Sequence, residues 1–280
     1  MPVEPPVVTP RTLAEAYAIL AGAPHRPVAG GTDLLVQLTG EIGPVPERVI
    51  DLWRLNELRG IRVRDDVLEI GALTTYTQIL RSDDCAAHAP SLVAAAVTIG
   101  AAQIQNRGTI GGNAMNASPA GDSLPVLLAL DAVLVAGGPG GERSIPAAEF
   151  WPAYRKTALR DGELLLRVRI PIVEGRRQAF RKVGTRRAQA ISKVVLAASW
   201  RRDPDWRDVR IAFGSVAATP IRALAAEAAL EGAPPGAESI DRSVAALLGE
   251  LHPIDDVRST GAYRLEVAGR ILRRILEDAP

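Results

Sequence analysis

The sequence predicts an α+β protein, and three observations carry that prediction. From Gln178 onward apolar runs come first and helical patterns follow, the order of an α+β domain rather than of a repeating parallel α/β unit. Earlier in the chain, short strand-like runs alternate with turns and short helical patterns, and no repeat of roughly 20–50 residues runs through either part. Hydrophobic residues make up 47% of the 280 positions and charged residues 23%, so the chain can bury a large core and lacks the signature of disorder.

In chain order, Thr12–Leu20 reads as a helix capped by Thr12, with Leu13, Ala16, Tyr17 and Leu20 on one face. AGGTDLLVQL (Ala29–Leu38) is a Gly-Gly turn leading into an apolar run, and Val49–Leu52 is a buried strand. Ile61–Val63 and Val67–Ile70 flank Asp65-Asp66 as a hairpin, and Thr74 or Thr75 is placed to cap the next helix. Pro90–Gln105 is expected as one long Ala-rich helix that stops at Asn106-Arg107-Gly108. Asn106–Asp122 (NRGTIGGNAMNASPAGD) holds four glycines, three asparagines and no period, and is expected as an irregular, functional loop. Asp122 and Ser123 are expected to cap a helix with Pro125 in its first turn. Ala132–Ala136 and Leu164–Ile170 read as strands, with a turn at Gly137–Gly141, and the pattern changes over Pro171–Arg177. Strands follow at Ala179–Val183, Val194–Trp200 and Val209–Val216, then helices from Thr219-Pro220, Ile240 and Tyr263.

Charge and composition exclude several functions. Lys+Arg of 33 against Asp+Glu of 32 leaves a formal charge of +1, too little to bind nucleic acid or an anionic membrane. The lone Cys85 rules out an internal disulfide and a four-thiolate iron–sulfur cluster, and its polar surroundings, beside Asp83-Asp84 and without a catalytic partner, mark it as structural. His25, His88 and His252 are too scattered for a zinc motif, so no metal site and no catalytic side chain of this chain's own is expected. Met1–Pro10 has no signal-peptide pattern and no apolar run reaches the ~20 residues of a membrane span, which predicts a cytoplasmic chain. Leu265, Ala268, Ile271, Leu272 and Ile275 form a core-facing stripe on the last helix, with Arg273-Arg274 in solvent.

Two glycine-rich turns remain, Ala29–Thr32 and Thr109–Asn113. Such turns let backbone N–H groups converge on an anion with no Cβ in the way. Neither matches Gly-x-Gly-x-x-Gly after a strand or a Gly-Lys-Ser/Thr loop. Two separate turns could cradle an extended dinucleotide from two sides; the alternative is that both are ordinary turns.

AGGTDLL, GALTT (Gly71–Thr75) and NRGTIGGN, in this order and spacing, resemble the flavin-binding subunit of the xanthine dehydrogenase and carbon monoxide dehydrogenase family of molybdenum hydroxylases. ASPAGD (Ala117–Asp122), YRKTALRDGELL (Tyr154–Leu165), FRKVGTRRAQAIS (Phe180–Ser192) and YRLEVAGRILRRIL (Tyr263–Leu276) extend the resemblance over nearly the whole chain. It implies the FAD-binding fold of the vanillyl-alcohol oxidase (PCMH) type, with subdomains at residues 1–56 and 57–175 and a C-terminal α+β domain at residues 176–280. It also implies a non-covalent FAD held by Ala29, Gly30, Gly31, Thr32, Asp33 and Leu34 and by Thr109, Ile110, Gly111, Gly112 and Asn113. Asp122, Leu166 and Lys182 match further contact positions. Lys182 could set a cation near the flavin N1–C2=O edge, the alternative being a solvated strand residue. Ile99 stands where some relatives place an aromatic ring on the flavin and could pack on its face, the alternative being a buried helix residue.

The role so implied is electron transfer in a cytoplasmic heterotrimer. Electrons would arrive from [2Fe–2S] clusters on a small subunit, having been removed from substrate at a molybdopterin-binding large subunit, and leave to NAD⁺ or another acceptor. ASPAGD and YRKT lean towards the xanthine branch. Where eukaryotic-type relatives carry an acidic cluster after Arg186-Arg187, this chain has Ala188, Gln189 and Ala190, which argues against NAD⁺. A stand-alone flavoprotein of the same fold and a flavin-free scaffold are the competing readings.

Overall fold

The computed structural model describes residues 5–40, 44–186 and 189–279; Arg187 and Ala188 lie outside the described residues. The first part is built from β1 (Val7–Val8), α1 (Leu13–Gly22), β2 (Arg26–Val28), α2 (Leu34–Thr39) and β3 (Val49–Asp51). The strands form a small parallel sheet in the order β1-β3-β2. Thr12 caps α1 by accepting from the Glu15 N–H, as its position before the apolar face demands. Ala16, Ile50, Leu52, Leu55 and Leu58 form this part's core with Leu73, Leu164 and Leu166.

Next come β4 (Ile61–Arg64), β5 (Val67–Gly71), α3 (Tyr76–Leu80), α4 (Asp83–His88), α5 (Pro90–Thr98), α6 (Ala102–Gln105), α7 (Ile110–Asn116), α8 (Leu124–Ala129), β6 (Val133–Gly138), β7 (Gly141–Pro146), α9 (Ala147–Phe150) and β8 (Leu164–Pro171). The strands make an antiparallel five-stranded sheet ordered β4-β5-β8-β6-β7. Asp65 and Asp66, both at positive φ, turn the β4–β5 hairpin. Thr75 and Gln78 form a capping box on α3. Cys85 is buried on α4, its thiol pushed up to about 11 by burial and then by the Asp84 charge, so it is an inert core group.

Three local expectations are corrected here. The helix expected over Pro90–Gln105 breaks after Thr98: Ile99 is extended and Gly100 takes φ +55°. The Gln105 amide donates to the carbonyls of Ala96 and Ile99, satisfying the broken end. The stretch Asn106–Asp122 is not wholly irregular, because α7 runs through its centre with Thr109 as N-cap. Asp122 does not cap α8; its carboxylate is taken by a partner 60 residues away.

The C-terminal part contains β9 (Arg177–Val183), β10 (Val194–Asp203), β11 (Asp205–Gly214), β12 (Ile221–Arg222), α10 (Leu224–Leu230), α11 (Ala237–Glu250) and α12 (Gly261–Glu277). Its antiparallel sheet has the order β12-β11-β10-β9, and the helices cover one face around Trp206, Phe213, Leu230, Leu247 and Leu272. The helix expected at Thr219-Pro220 begins only at Leu224, because Ile221-Arg222 pairs with Ala212-Phe213 instead.

Helix α8 joins the two parts. It packs on β10 and β11, and Ser199 Oγ donates to Ala129 O at 2.6 Å. At its far end Asp131 receives Arg210 Nε at 2.9 Å, Arg222 Nη1 at 3.3 Å and Arg176 Nη2 at 3.7 Å. One carboxylate thus ties the linker, β11 and β12 to the end of α8.

Candidate cofactor cleft

Between these layers lies a cleft of about 1360 Å³. Ala29–Leu34 leaves the end of β2 and opens α2. No described group accepts a hydrogen bond from the backbone N–H of these six residues, all of which line the cleft. Gly30 is obligatory: a Cβ there would lie 1.8 Å from Arg107 O, so the turn rests on the backbone of the second stretch. Gly31 sits at φ +78°.

The second turn has different physics. Ile110 N donates to Thr74 O at 3.1 Å, Gly111 N to Ala72 O at 2.9 Å and Asn113 N to Thr109 O at 3.0 Å. Gly112 N donates to Thr109 Oγ1 at 3.0 Å. These N–H groups are engaged in capping α7 and docking it on the β5–α3 connection, so the anion-cradle expectation does not hold for this turn. Its glycines allow close approach instead: a Cβ on Gly111 would fall 2.6 Å from Ala72 O. Gly111, Gly112 and Asn113 still line the cleft, and Asn113 Oδ1 accepts from Ser123 Oγ at 2.9 Å, itself 3.1 Å from the Tyr76 hydroxyl.

Deeper in the cleft, Lys182 on β9 donates to Asp122 Oδ2 at 2.5 Å and to Thr98 O at 3.2 Å. Its side chain is 8% exposed, which rejects the solvated-strand alternative. Burial raises the Asp122 carboxyl to about 6 even though the Lys182 charge pulls it back down. Asp122 Oδ1 is buried and accepts no hydrogen bond of ordinary geometry; the nearby Thr98 and Ser192 hydroxyls donate to Ala95 O and Ala120 O. An acceptor held dry and unpaired inside a cleft is a place for a ligand donor.

Of the fifteen residues singled out from the sequence, thirteen line this cleft, Ile99 and Lys182 among them. Ile110 and Leu166 do not. The Ile110 side chain is buried in the central core. Leu166 faces α1, where Gly137 leaves it room: a Cβ on Gly137 would meet Leu166 Cδ1 at 2.5 Å. The adjacent Leu164 and Leu165 line the cleft instead.

Sequence reasoning missed the C-terminal wall, formed by Ser192, Ser215, Val216, His252 and Arg264. Arg264 is 5% exposed, and it donates to Ser215 O at 2.5 Å and Asp256 Oδ1 at 2.6 Å. The signal was available: Arg264 falls within the stripe Gly261, Ala268, Leu272 on α12, and a charge at a buried position needs a reason.

The observed features fit a dinucleotide with an anionic centre. Six unengaged N–H groups offer its phosphates partial positive charge, and an orphaned carboxylate oxygen awaits a donor. Among the described residues no cluster of His, Cys, Asp and Glu could hold a metal, and no helix is long and apolar enough to cross a membrane.

Comparison with known proteins agrees. Residues 2–173 match the family described as the FAD binding domain in molybdopterin dehydrogenase, and residues 178–279 the CO dehydrogenase flavoprotein C-terminal domain. The chain is 33% identical to a xanthine dehydrogenase FAD-binding subunit of Escherichia coli, covering 96% of this chain and 93% of that one. It is 34% identical to the carbon monoxide dehydrogenase medium chain of Afipia carboxidovorans, covering 96% and 94%. These two values do not separate the xanthine from the carbon monoxide branch. The structure of carbon monoxide dehydrogenase from Hydrogenophaga pseudoflava superposes with a TM-score of 0.95 at 31% identity, covering 100% of this chain and 98% of that one. Two family matches that together span the chain, with relatives and a solved structure matched from end to end, make the chain a member of the FAD-binding subunits of the molybdopterin dehydrogenase family.

Proposed function

We propose that the chain holds one FAD non-covalently in this cleft and works as the electron-transfer subunit of a molybdenum hydroxylase. Its partners are a molybdopterin-binding large subunit and a [2Fe–2S] small subunit, the latter delivering the electrons. The observation that carries the reading is the run of six unengaged N–H groups from Ala29 to Leu34 along the cleft wall.

When bound, the flavin supplies one- and two-electron redox chemistry. The chain's own residues bind and tune it. The N–H groups of Ala29–Leu34 hold the pyrophosphate, and Gly30 keeps their turn pressed on Arg107. Lys182 is the one lysine among the cleft-lining residues, and Asp122 fixes its ammonium in place. With its carboxyl raised to about 6, Asp122 can hold or release a proton near neutral pH, moving the pair between one net positive charge and none. Thr109, Gly111, Gly112, Asn113 and Ile99 line the same cleft.

The acceptor is NAD⁺ or another oxidant. Gln189 and Ala190, which line the cleft, bring no carboxylate there. That supports an acceptor other than NAD⁺, and mixing the reduced protein with NAD⁺ tests it directly by return of the oxidised absorbance.

The first experiment is an absorption spectrum of the purified chain before and after heating. Oxidised-flavin bands whose chromophore separates intact on denaturation support the reading. A folded, colourless protein that takes up no added FAD overturns it in favour of a scaffold.

A further inference from the structure

An arginine cluster that does not line the cleft gathers around Trp53. The Arg107 guanidinium lies 3.9 Å from the centroid of the Trp53 ring and that of Arg59 4.4 Å from it. Arg59 also donates to the carbonyls of Trp53 and Leu73. Arg11, Trp53, Arg54, Asn56 and Arg59 line a shallow depression of about 620 Å³ with no carboxylate among them. The side chains of Arg11 and Arg54 make no hydrogen bond or ion pair with any described residue, and Arg107 has only its stacking on Trp53. Burial, and then the charge of Arg107, pull Arg59 below its usual value.

Two arginines lie over one indole and two more line the depression beside it, while the nearby carboxylates of Asp51, Glu15 and Glu57 accept from the backbone N–H groups of Trp53, Arg11 and Leu13 rather than from the guanidinium groups. Some exposed arginines elsewhere are paired, as in Arg62 with Glu69, and others such as Arg64 and Arg81 are not; what sets this patch apart is the grouping of its guanidinium groups around one ring. Arg and Trp are also the residues that concentrate binding energy at protein interfaces. Stacking on the indole fixes two guanidinium planes in advance, so less side-chain freedom is lost when their edges meet an acceptor. With two guanidinium groups over the Trp53 ring, little aromatic face remains for a nucleobase to stack on. The guanidinium edges suit carboxylates.

We infer that the Trp53–arginine patch is a docking surface for a carboxylate-rich face of a partner polypeptide in the same complex. This rests on the reading of the chain as one subunit of an assembly. Because Arg107 O is the atom on which Gly30 rests, the docked face lies one backbone layer from the cofactor turn.

The test uses R11E/R54E, which reverses two exposed charges outside the cofactor cleft. Wild type and variant are titrated with the purified molybdopterin-binding and iron–sulfur chains of the complex, and assembly is followed by light scattering. FAD-to-protein ratio and melting temperature are expected to stay at wild-type values, while assembly at low salt weakens at least about tenfold. The gap is expected to narrow as salt rises. Equal assembly of both proteins overturns the docking surface and leaves the flavin reading intact. Wild-type protein that binds inorganic pyrophosphate where R11E/R54E does not, with assembly unchanged, overturns it in favour of a small-anion site. A wild-type chain that holds FAD yet forms no complex overturns the docking and the subunit role together.

Discussion

The two glycine turns look alike in the sequence and differ in what their backbones do. In Ala29–Leu34 the N–H groups are left over, whereas in Ile110–Asn113 each is already bonded within the protein. One turn leaves its N–H groups without a described acceptor; the other uses them in packing. The lesson is that a glycine-rich motif announces only that a Cβ is unwelcome. Whether a ligand or another stretch of backbone occupies the space is decided by where the N–H groups point.

The largest effect should break the first turn. Gly30→Ala forces a methyl against Arg107 O and is expected to abolish FAD retention and cost about 3 kcal/mol or more, read as flavin-to-protein ratio and denaturant midpoint. Retained flavin would mean that the turn is not the phosphate cradle.

Next in size is the Lys182–Asp122 pair at the inner end of the second stretch. The carboxyl is raised in the folded protein to about 6, above its unfolded value of about 3.9. The folded apoprotein therefore binds the extra proton between those values. The contribution of this group to stability is present below pH ~4 and is lost as pH rises through about 6, by about 3 kcal/mol. Paired carboxylates such as Glu163, held low by hydrogen bonds to Arg143, work in the opposite direction at more acidic pH. Lys182→Met is expected to extend the decline to higher pH, and apoprotein denaturation at pH 5 and 8 measures it. An unchanged pH dependence would show that Asp122 is not held by this cation.

Gly111→Ala sharpens the contrast. Its methyl meets Ala72 O, so about 2 kcal/mol of stability should be lost equally from apoprotein and holoprotein. A loss confined to the holoprotein would return the second turn to the cradle class. Smallest is Thr109→Ala, which removes the α7 cap for about 1 kcal/mol and should leave flavin affinity within a few-fold by fluorescence titration.

What could be read from the sequence was what neighbours decide. Thr12 and Thr75 cap helices because a hydroxyl before an apolar face suffices, and the Asp65-Asp66 hairpin needs only its own residues. The break after Thr98 could not be read, because the Ala-rich period runs through it and the stop lies in the backbone of Gly100. Helix α7 was hidden by Gly111 and Gly112, poor helix formers that α7 tolerates because their N–H groups dock on Ala72 O and Thr109 Oγ1. In the cleft, motif positions placed the near wall well. They failed at Ile110 and Leu166, whose neighbours on α7 and β8 face the cleft while they face the core. The wall around Ser215 and Arg264 comes from a different sheet and helix, and no local pattern reports such a meeting.

Helix α8 carries a lesson about dissection. Its leading end meets Lys182 through Asp122 and its trailing end meets Arg210 and Arg222 through Asp131. The two matched families divide the chain between residues 173 and 178, yet that seam is one of ancestry and not of mechanics. A fragment cut at the seam would carry away two aspartates and leave their cations behind, together with the apolar face that α8 lays on β10 and β11. The halves can be named apart, but they are soldered at both ends of a six-residue rod.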